Sequence, residues 1–459
     1  MEERMKILLK NGMVVSGNGS KKQDVLIQDG IIMEVSDSIL ASDAEQVDVT
    51  GKILFPGFID AHTHFDLEVS NTVTADNFAT GTKAAILGGT TMIIDFATQN
   101  KGETLIEALQ NWHKKADGVS SCDYGFHMAI SDWNAQTEKD LPVMFEQGVS
   151  SFKLYMTYPA MRVDDGVLYE CLKKISKMGG LVGVHCENGD VIDALIAEQK
   201  AAGNNTPCAH PISRPSAVEA EAIHRLLTIA KLAGAAVMVV HLSSKEGLEE
   251  VLRAEDQTVF AETCPQYLLL DDSVYCQETM EAAKYVCSPP LRKKIDQDAL
   301  WDALKNDQIH TIATDHCSFS MEQKSVGRED FTKIPNGMPG VETRGSLLYT
   351  YGYRSGKLSL EQLCRLLSEN PAKLYGVYPR KGVIRPGSDA DIVVFDPEKE
   401  TIISAKTHHY HMDYAPFEGW KLHGDVQDVY LRGELIVKNG TIQKENFGQY
   451  IKREKGSFL

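Results

Sequence analysis

Short apolar runs broken by turn residues open the chain. Residues 6–9, 13–15, 24–28 and 31–35 are apolar-rich, and Asn11-Gly12, Gly17-Asn18-Gly19 and Asp29-Gly30 separate them with the chemistry of tight β-turns. The same texture returns at residues 391–395 and 428–437, with Asp389 and Gly433 among the breaks. Two strand-rich ends around a long middle predict that both termini join in one small β domain.

The middle has a different rhythm. Apolar strand candidates at residues 53–61, 91–96, 124–130, 151–156, 181–185, 236–241, 258–262 and 311–314 alternate with amphipathic stretches such as residues 76–87, 104–115, 165–177, 217–232 and 245–254. Strand then helix, about eight times over, predicts an α/β chain with a (β/α)8 barrel. A doubly wound open sheet competes, but no GxGxxG follows the first strand. The expected division is a β-sandwich from residues 1–52 and 380–440, a barrel over residues 53–379, and a tail at 441–459. That tail is polar and basic at Lys452, Arg453 and Lys455, and is expected to be a mobile or oligomer-contacting end.

Five of the candidate strands carry, at or near their ends, a residue suited to a metal site. The first runs into Asp60-Ala-His62-Thr-His64, where strand alternation puts both imidazoles on one face. The fourth holds Lys153, the fifth ends at His185, the sixth ends at His241, and Asp315 directly follows the eighth. Catalytic residues of barrels gather at the C-terminal strand ends, so these residues need no closeness in sequence. A lone histidine is more often a hydrogen-bonded structural group than a ligand, and HxH alone is weak. The coincidence of five such ends is what favours a metal centre.

Lys153 is the odd member. Phe152, Leu154 and Met156 share one face toward the helices, so Lys153 points inward. An ammonium among ligating histidines is repelled, and burying it unpaired is costly. Two readings follow: an ion pair with Asp95 or Glu262, or carbamylation by carbon dioxide into a carboxylate.

Charge and cysteine content narrow the class. Over 459 residues, 47 basic against 64 acidic side chains give a net charge of −17. That argues against nucleic acid as a partner, since phosphate binding needs a basic field. No apolar run reaches the roughly 18 residues of a membrane span. Residues 1–10 lack the apolar core of a signal peptide, and nine cysteines without CxxC spacing point to reduced thiols in a cytoplasmic protein.

The motifs resemble those of the cyclic amidohydrolases, in the D-hydantoinase and dihydropyrimidinase branch, and within it most of all the bacterial phenylhydantoinases. The matching segments are Gly57-Phe-Ile-Asp-Ala-His-Thr-His64, Ser151-Phe-Lys-Leu-Tyr-Met-Thr-Tyr158, Val184-His-Cys-Glu-Asn188 and Val240-His-Leu-Ser243. They continue in family order with Glu262-Thr-Cys-Pro-Gln-Tyr267, Ser288-Pro-Pro-Leu-Arg292, Ala313-Thr-Asp-His-Cys317 and Pro335-Asn-Gly-Met-Pro-Gly-Val-Glu342. The likeness implies a barrel plus a β-sandwich from both termini, and two divalent ions per chain, zinc first, with manganese or cobalt also suited. His62, His64 and Asp315 would serve one ion and His185 and His241 the other, with Lys153 as an N6-carboxylysine between them. It also implies Asp315 as acid–base, Tyr158 as oxyanion donor, and backbone groups of Ser288 and Asn336 as holders of a cyclic imide. The expected reaction is ring opening of 5-substituted hydantoins to N-carbamoyl amino acids by a hydroxide at the binuclear centre, D-selective by resemblance, in a homotetramer. The alternatives are dihydropyrimidinase and then allantoinase activity, and, in another class, a scaffold relative lacking the ligands.

Apolar residues after the ligands (Phe65, Leu67, Val69, Pro159 and Met161, with Ala160) are expected to line the mouth and favour aryl or alkyl substituents. Their plain alternative is ordinary loop packing. His408-His409-Tyr410-His411 resembles a metal cluster but lies outside the barrel strands, and is expected to be structural or surface. Cys317, His316 and His127 are expected to be packing residues, and Glu187 either a partner of His185 or a loop acid.

Overall fold

A computed structural model describes residues 6–69 and 72–457. The first five residues of the N-terminal segment, the last two of the tail, and Ser70 and Asn71 lie outside the described residues.

Eight parallel strands form the barrel: β1 (Phe58–Thr63), β2 (Thr90–Thr98), β3 (Asp123–Ala129), β4 (Ser151–Tyr155), β5 (Leu181–His185), β6 (Val237–Val239), β7 (Val259–Thr263) and β8 (Thr311–Ile312). Helices follow where the sequence offers caps. Asn77, Thr104 and Asp164 each accept a first-turn N–H ahead of helices Phe78–Leu87, Leu105–Ala116 and Asp165–Lys177. Inside the barrel, Ile59, Met92, Ile94, Leu181, Met238 and Phe260 pack with Leu374, Tyr375 and Val377. The interior is therefore a filled core, and open space is left to the C-terminal strand ends.

Residues 53–61, expected as one strand, are two. Ile53–Pro56 joins the terminal sheet, and the chain crosses to β1 at Gly57, whose N–H donates to Asp391 O at 2.8 Å. A Cβ at Gly57 would lie 2.1 Å from Thr91 Oγ1, so the crossing needs glycine. Both chain ends do meet. Lys6–Ser16, Gly19–Gln28 and Ile31–Ser36 share a nine-stranded sheet with Ile53–Pro56, Ile392–Ile402 and Lys421–Leu431. Its core includes Leu9, Val25, Ile27, Leu54, Ile392 and Val394.

Among the described residues β8 and β1 share no ladder; a backbone bridge between Thr63 and His316, together with side chains, stitches this seam. Asp60 accepts from Thr314 N at 3.1 Å and Thr314 Oγ1 at 2.7 Å. Arg344, fully buried, donates to Ile59 O at 3.0 Å and Ile312 O at 2.9 Å.

The tail differs from the expected mobile end. Tyr124 N donates to Gln449 O, and Ile451 N donates back to Tyr124 O at 2.8 Å, a parallel bridge along the lower half of β3. β4 pairs with β3 only at Met128 and Ala129, so the tail occupies wall left open below. Ile451 and Arg453 are buried there, and packing has overridden local polarity. No helix among the described residues is long and apolar enough to cross a membrane.

Candidate metal centre

The strand-end residues converge. His62 Nε2 and His64 Nε2 lie 3.2 and 3.1 Å from Asp315 Oδ1. The ring of His241 is 5.4 Å from that of His62 and 4.4 Å from that of His185, centroid to centroid. Ligand atoms of His62, His241 and Asp315 all fall within 4.8 Å of one another. Phe96 stacks beneath His64 at 4.9 Å and floors the cluster.

Second partners orient the imidazoles. His62 Nδ1 meets Glu262 Oε1 at 2.6 Å, and His185 Nε2 meets Glu187 Oε2 at 2.7 Å. Each contact fixes a tautomer and turns the other ring nitrogen inward. Glu187 is thus the partner of His185 and not a loop acid. Burial opposes its charge, but Arg214 at 2.8 Å overcomes that and holds the carboxyl well below the usual range. Burial lowers the pKa of His62, His185 and His241, which keeps them neutral and able to donate lone pairs.

Lys153 is 1% exposed, and no carboxylate lies within 4 Å of its Nζ among the described residues. The expected pairing candidates are engaged elsewhere. Glu262 serves His62, while Asp95 accepts from Thr63 Oγ1, Phe65 N and Trp112 Nε1. Burial pushes the Lys153 pKa down, against the pull of Asp315 and Glu262.

Three residues here carry a left-handed backbone: Tyr158 at φ +66°, His241 at +41° and Asp315 at +52°. Such conformations cost about 1–3 kcal/mol each and persist where the surroundings impose them. They cluster at this mouth and aim side chains into it. Burial pushes the Tyr158 phenol up to about 12, so it remains a hydrogen-bond donor at neutral pH.

Ser288 Oγ is committed to Glu187 and Arg214, both at 2.8 Å. The main-chain N–H and C=O of Ser288 and of Asn336 have no partner among the described residues. Free backbone donors and acceptors beside a polar cluster suit recognition of a cyclic amide.

Not every expected residue faces the mouth. Phe65 is fully buried against Phe78 and His316, and a Cβ on Gly81 would strike its ring at 2.2 Å, so it belongs to the core. Leu67, Val69 and Met161 are partly exposed and Pro159 is exposed. His316 spends Nε2 on Asp76 and Nδ1 on two backbone N–H groups, and His127 bridges Ser151 and Ala61 O. Cys317 is buried, and burial raises its thiol pKa. His409 pairs with Glu342 at 2.7 Å and His408 stacks on Tyr410, so the HHYH run forms no ligand set. Sequence reasoning missed Arg214, Arg344 and Lys324, each a single polar residue in an unremarkable stretch. The one available signal for Arg214 was its confinement between Ser213 and Pro215 after a very short helix.

The fit to metal is visible in the donors. His62 Nε2, His64 Nδ1 and His241 Nδ1 are buried without hydrogen bonds, a costly state for polar atoms unless a ligand takes up their lone pairs. The model of the Amidohydrolase family matches residues 53–436. The chain is 46% identical to the D-hydantoinase of Geobacillus stearothermophilus over 98% of this chain and 96% of that protein. It is 41% identical to a D-phenylhydantoinase of Escherichia coli over 98% of both. The structure of dihydropyrimidinase from Brevibacillus agri superposes with a TM-score of 0.97 at 44% identity, covering 98% of this chain and 99% of that one.

Proposed function

The chain belongs to the amidohydrolase family, in its branch of D-hydantoinases and dihydropyrimidinases, and from that premise we propose that it hydrolyses the ring amide of 5-substituted hydantoins to N-carbamoyl amino acids. The observation that carries the reading is the convergence of four buried imidazoles and an unpaired lysine on Asp315, with ring nitrogens left orphaned.

His62, His64 and Asp315 would hold one divalent ion, and His185 and His241 a second. Zinc suits these donors, as do manganese and cobalt. Two such ions supply Lewis acidity for the ring carbonyl and lower the pKa of water toward neutrality. Lys153, lowered by burial, can present a neutral amine that adds carbon dioxide and loses a proton, giving a carbamate between the two sites. Carbon-13 bicarbonate should give a carbamate resonance that disappears in Lys153→Ala.

Ser288 and Asn336 would take the imide through their free backbone groups. Tyr158, protonated at neutral pH, would donate to the ring carbonyl oxygen as it gains negative charge. Asp315 would accept the proton of the attacking water and return it to the leaving ring nitrogen. Leu67, Val69, Pro159 and Met161 would shape the pocket for an apolar substituent, which favours aryl- and alkyl-hydantoins over allantoin or dihydroorotate.

Turnover should be measured on both enantiomers of 5-phenylhydantoin, dihydrouracil, allantoin and dihydroorotate, with metal content on the same sample. Fast opening of the D-enantiomer at two ions per chain is the expected result. Preference for dihydrouracil would move the assignment to dihydropyrimidinase. Absence of both turnover and stoichiometric metal would leave the scaffold reading. Light scattering tests the homotetramer, and fractionation tests the cytoplasmic location.

A further inference from the structure

The free backbone groups of Ser288 and Asn336 belong to two loops, and one buried lysine joins those loops. Lys324, on the short helix Met321–Ser325, is fully buried and has no carboxylate within ion-pair distance among the described residues. Its Nζ donates to Val286 O and to Pro335 O, both at 3.1 Å. Val286 O also accepts from Gly337 N at 2.9 Å, and Cys317 N donates to Met338 O at 3.1 Å. Val286 and Pro335 therefore meet at this one amine, and Met338 is tied in turn to Cys317. Gly337 lies so close to Cys317 that an added Cβ would sit 2.2 Å from Cys317 O, so the spacing has little slack.

A buried amine with no carboxylate is expensive, burial pulls its pKa down to about 7, and methionine would fill similar volume without that cost. What the lysine adds is one donor group on two carbonyls. Pro335 C=O and Asn336 N–H are two ends of one amide. Hydrogen bonding at the oxygen withdraws electron density from the nitrogen, so the Asn336 N–H becomes a stronger donor.

We propose that Lys324 is a positioning residue for substrate: it fixes the separation of the Ser288 and Asn336 backbone groups and polarises the 335–336 peptide that presents its N–H to a carbonyl of the cyclic imide. This rests on the hydantoinase reading of the mouth. Lys324 touches no reacting atom. It acts on ring binding, and leaves the proton transfer at Asp315 and the hydrogen bond of Tyr158 alone.

The test uses metal-loaded full-length protein carrying Lys324→Gln, Lys324→Met or Lys324→Arg. KM and kcat on 5-phenylhydantoin are measured per metal-occupied site, with thermal midpoints and calorimetric binding of unsubstituted hydantoin in parallel. Loss of both Nζ hydrogen bonds predicts a KM and a hydantoin Kd raised about tenfold in the Met variant. A smaller rise is expected in Gln, near-native values in Arg, and kcat should move less than KM throughout. An unchanged KM and Kd in Gln with only a lowered thermal midpoint would reduce Lys324 to a structural residue. Gln retains a donor and carries the decision if the Met variant does not accumulate folded. Wild-type protein that binds hydantoin without opening it would sink the hydantoinase reading while the variants' Kd values still judge Lys324. Wild type that does neither overturns both.

Discussion

Buried charge sits at both ends of the barrel and is treated in opposite ways. At the N-terminal ends of the strands, Lys381 lies 2.6 Å from Asp391, 2.8 Å from Asp123 and 3.2 Å from Asp389. Arg432 pairs with Asp123, and Arg380 pairs with Asp389 at 3.0 Å. Three cations face three carboxylates, and the cluster joins β3 to the segment leading into Ile392–Ile402. At the mouth, Lys153 has no such partner and ring nitrogens are orphaned. Burial opposes charge on both lysines. Three carboxylates overcome it at Lys381 and raise its pKa, whereas burial prevails at Lys153 and lowers it. Saturated charge holds the two sheets together, and unsaturated charge waits for a ligand.

Substitutions should separate these roles. Asp315→Asn strikes the unsaturated end and should lower kcat by about three orders of magnitude, with the fold unchanged by circular dichroism. Normal turnover at full metal occupancy would remove Asp315 as the proton carrier. Lys381→Met strikes the saturated end, leaves Asp391 with no cation and removes one from Asp123 and Asp389, for a loss of about 3–5 kcal/mol in urea unfolding. Its kcat per folded site should match wild type, and a selective loss of kcat would erase the distinction drawn here. Tyr158→Phe should cost about 10²-fold in kcat with little change in KM. Ile451→Ala, in the tail below the mouth, should cost about 2 kcal/mol and leave both kinetic constants alone.

Much of this was legible in the chain because it is local. Asp165–Lys177 matches its amphipathic stretch residue for residue, and the other barrel strands and helices fall close to their apolar runs. The converging residues were legible because His62, His64, His185, His241 and Asp315 mark strand ends. Of their supporting partners, Glu187 was offered beside His185, but Glu262 was not legible. Glu262 reaches His62 from 200 residues away, and nothing in its own neighbourhood names that role. The strand at residues 53–61 concealed a change of sheet because both halves are apolar, and only the crowding at Gly57 tells them apart. Phe65 was misplaced for a similar reason, since an aromatic after the ligands looks the same whether it turns toward substrate or toward Phe78. The mobile reading of the tail fails because its lysines outweigh Ile451 in composition, while Ile451 and Arg453 are the residues that pack.

That tail has a consequence for how the chain is made. Tyr124 receives its neighbour from residues 449–451, more than three hundred positions later, and β1 lies beside a seam sealed by Arg344. A nascent chain emerging from the ribosome can form β2, β3 and their helices early, yet the wall below β3 stays open until residues 449–453 have emerged. Contacts of such long sequence separation form late and leave strand edges exposed meanwhile. Assembly should therefore end with the tail docking, so that refolding shows a slow phase sensitive to Ile451 while the early phases ignore it.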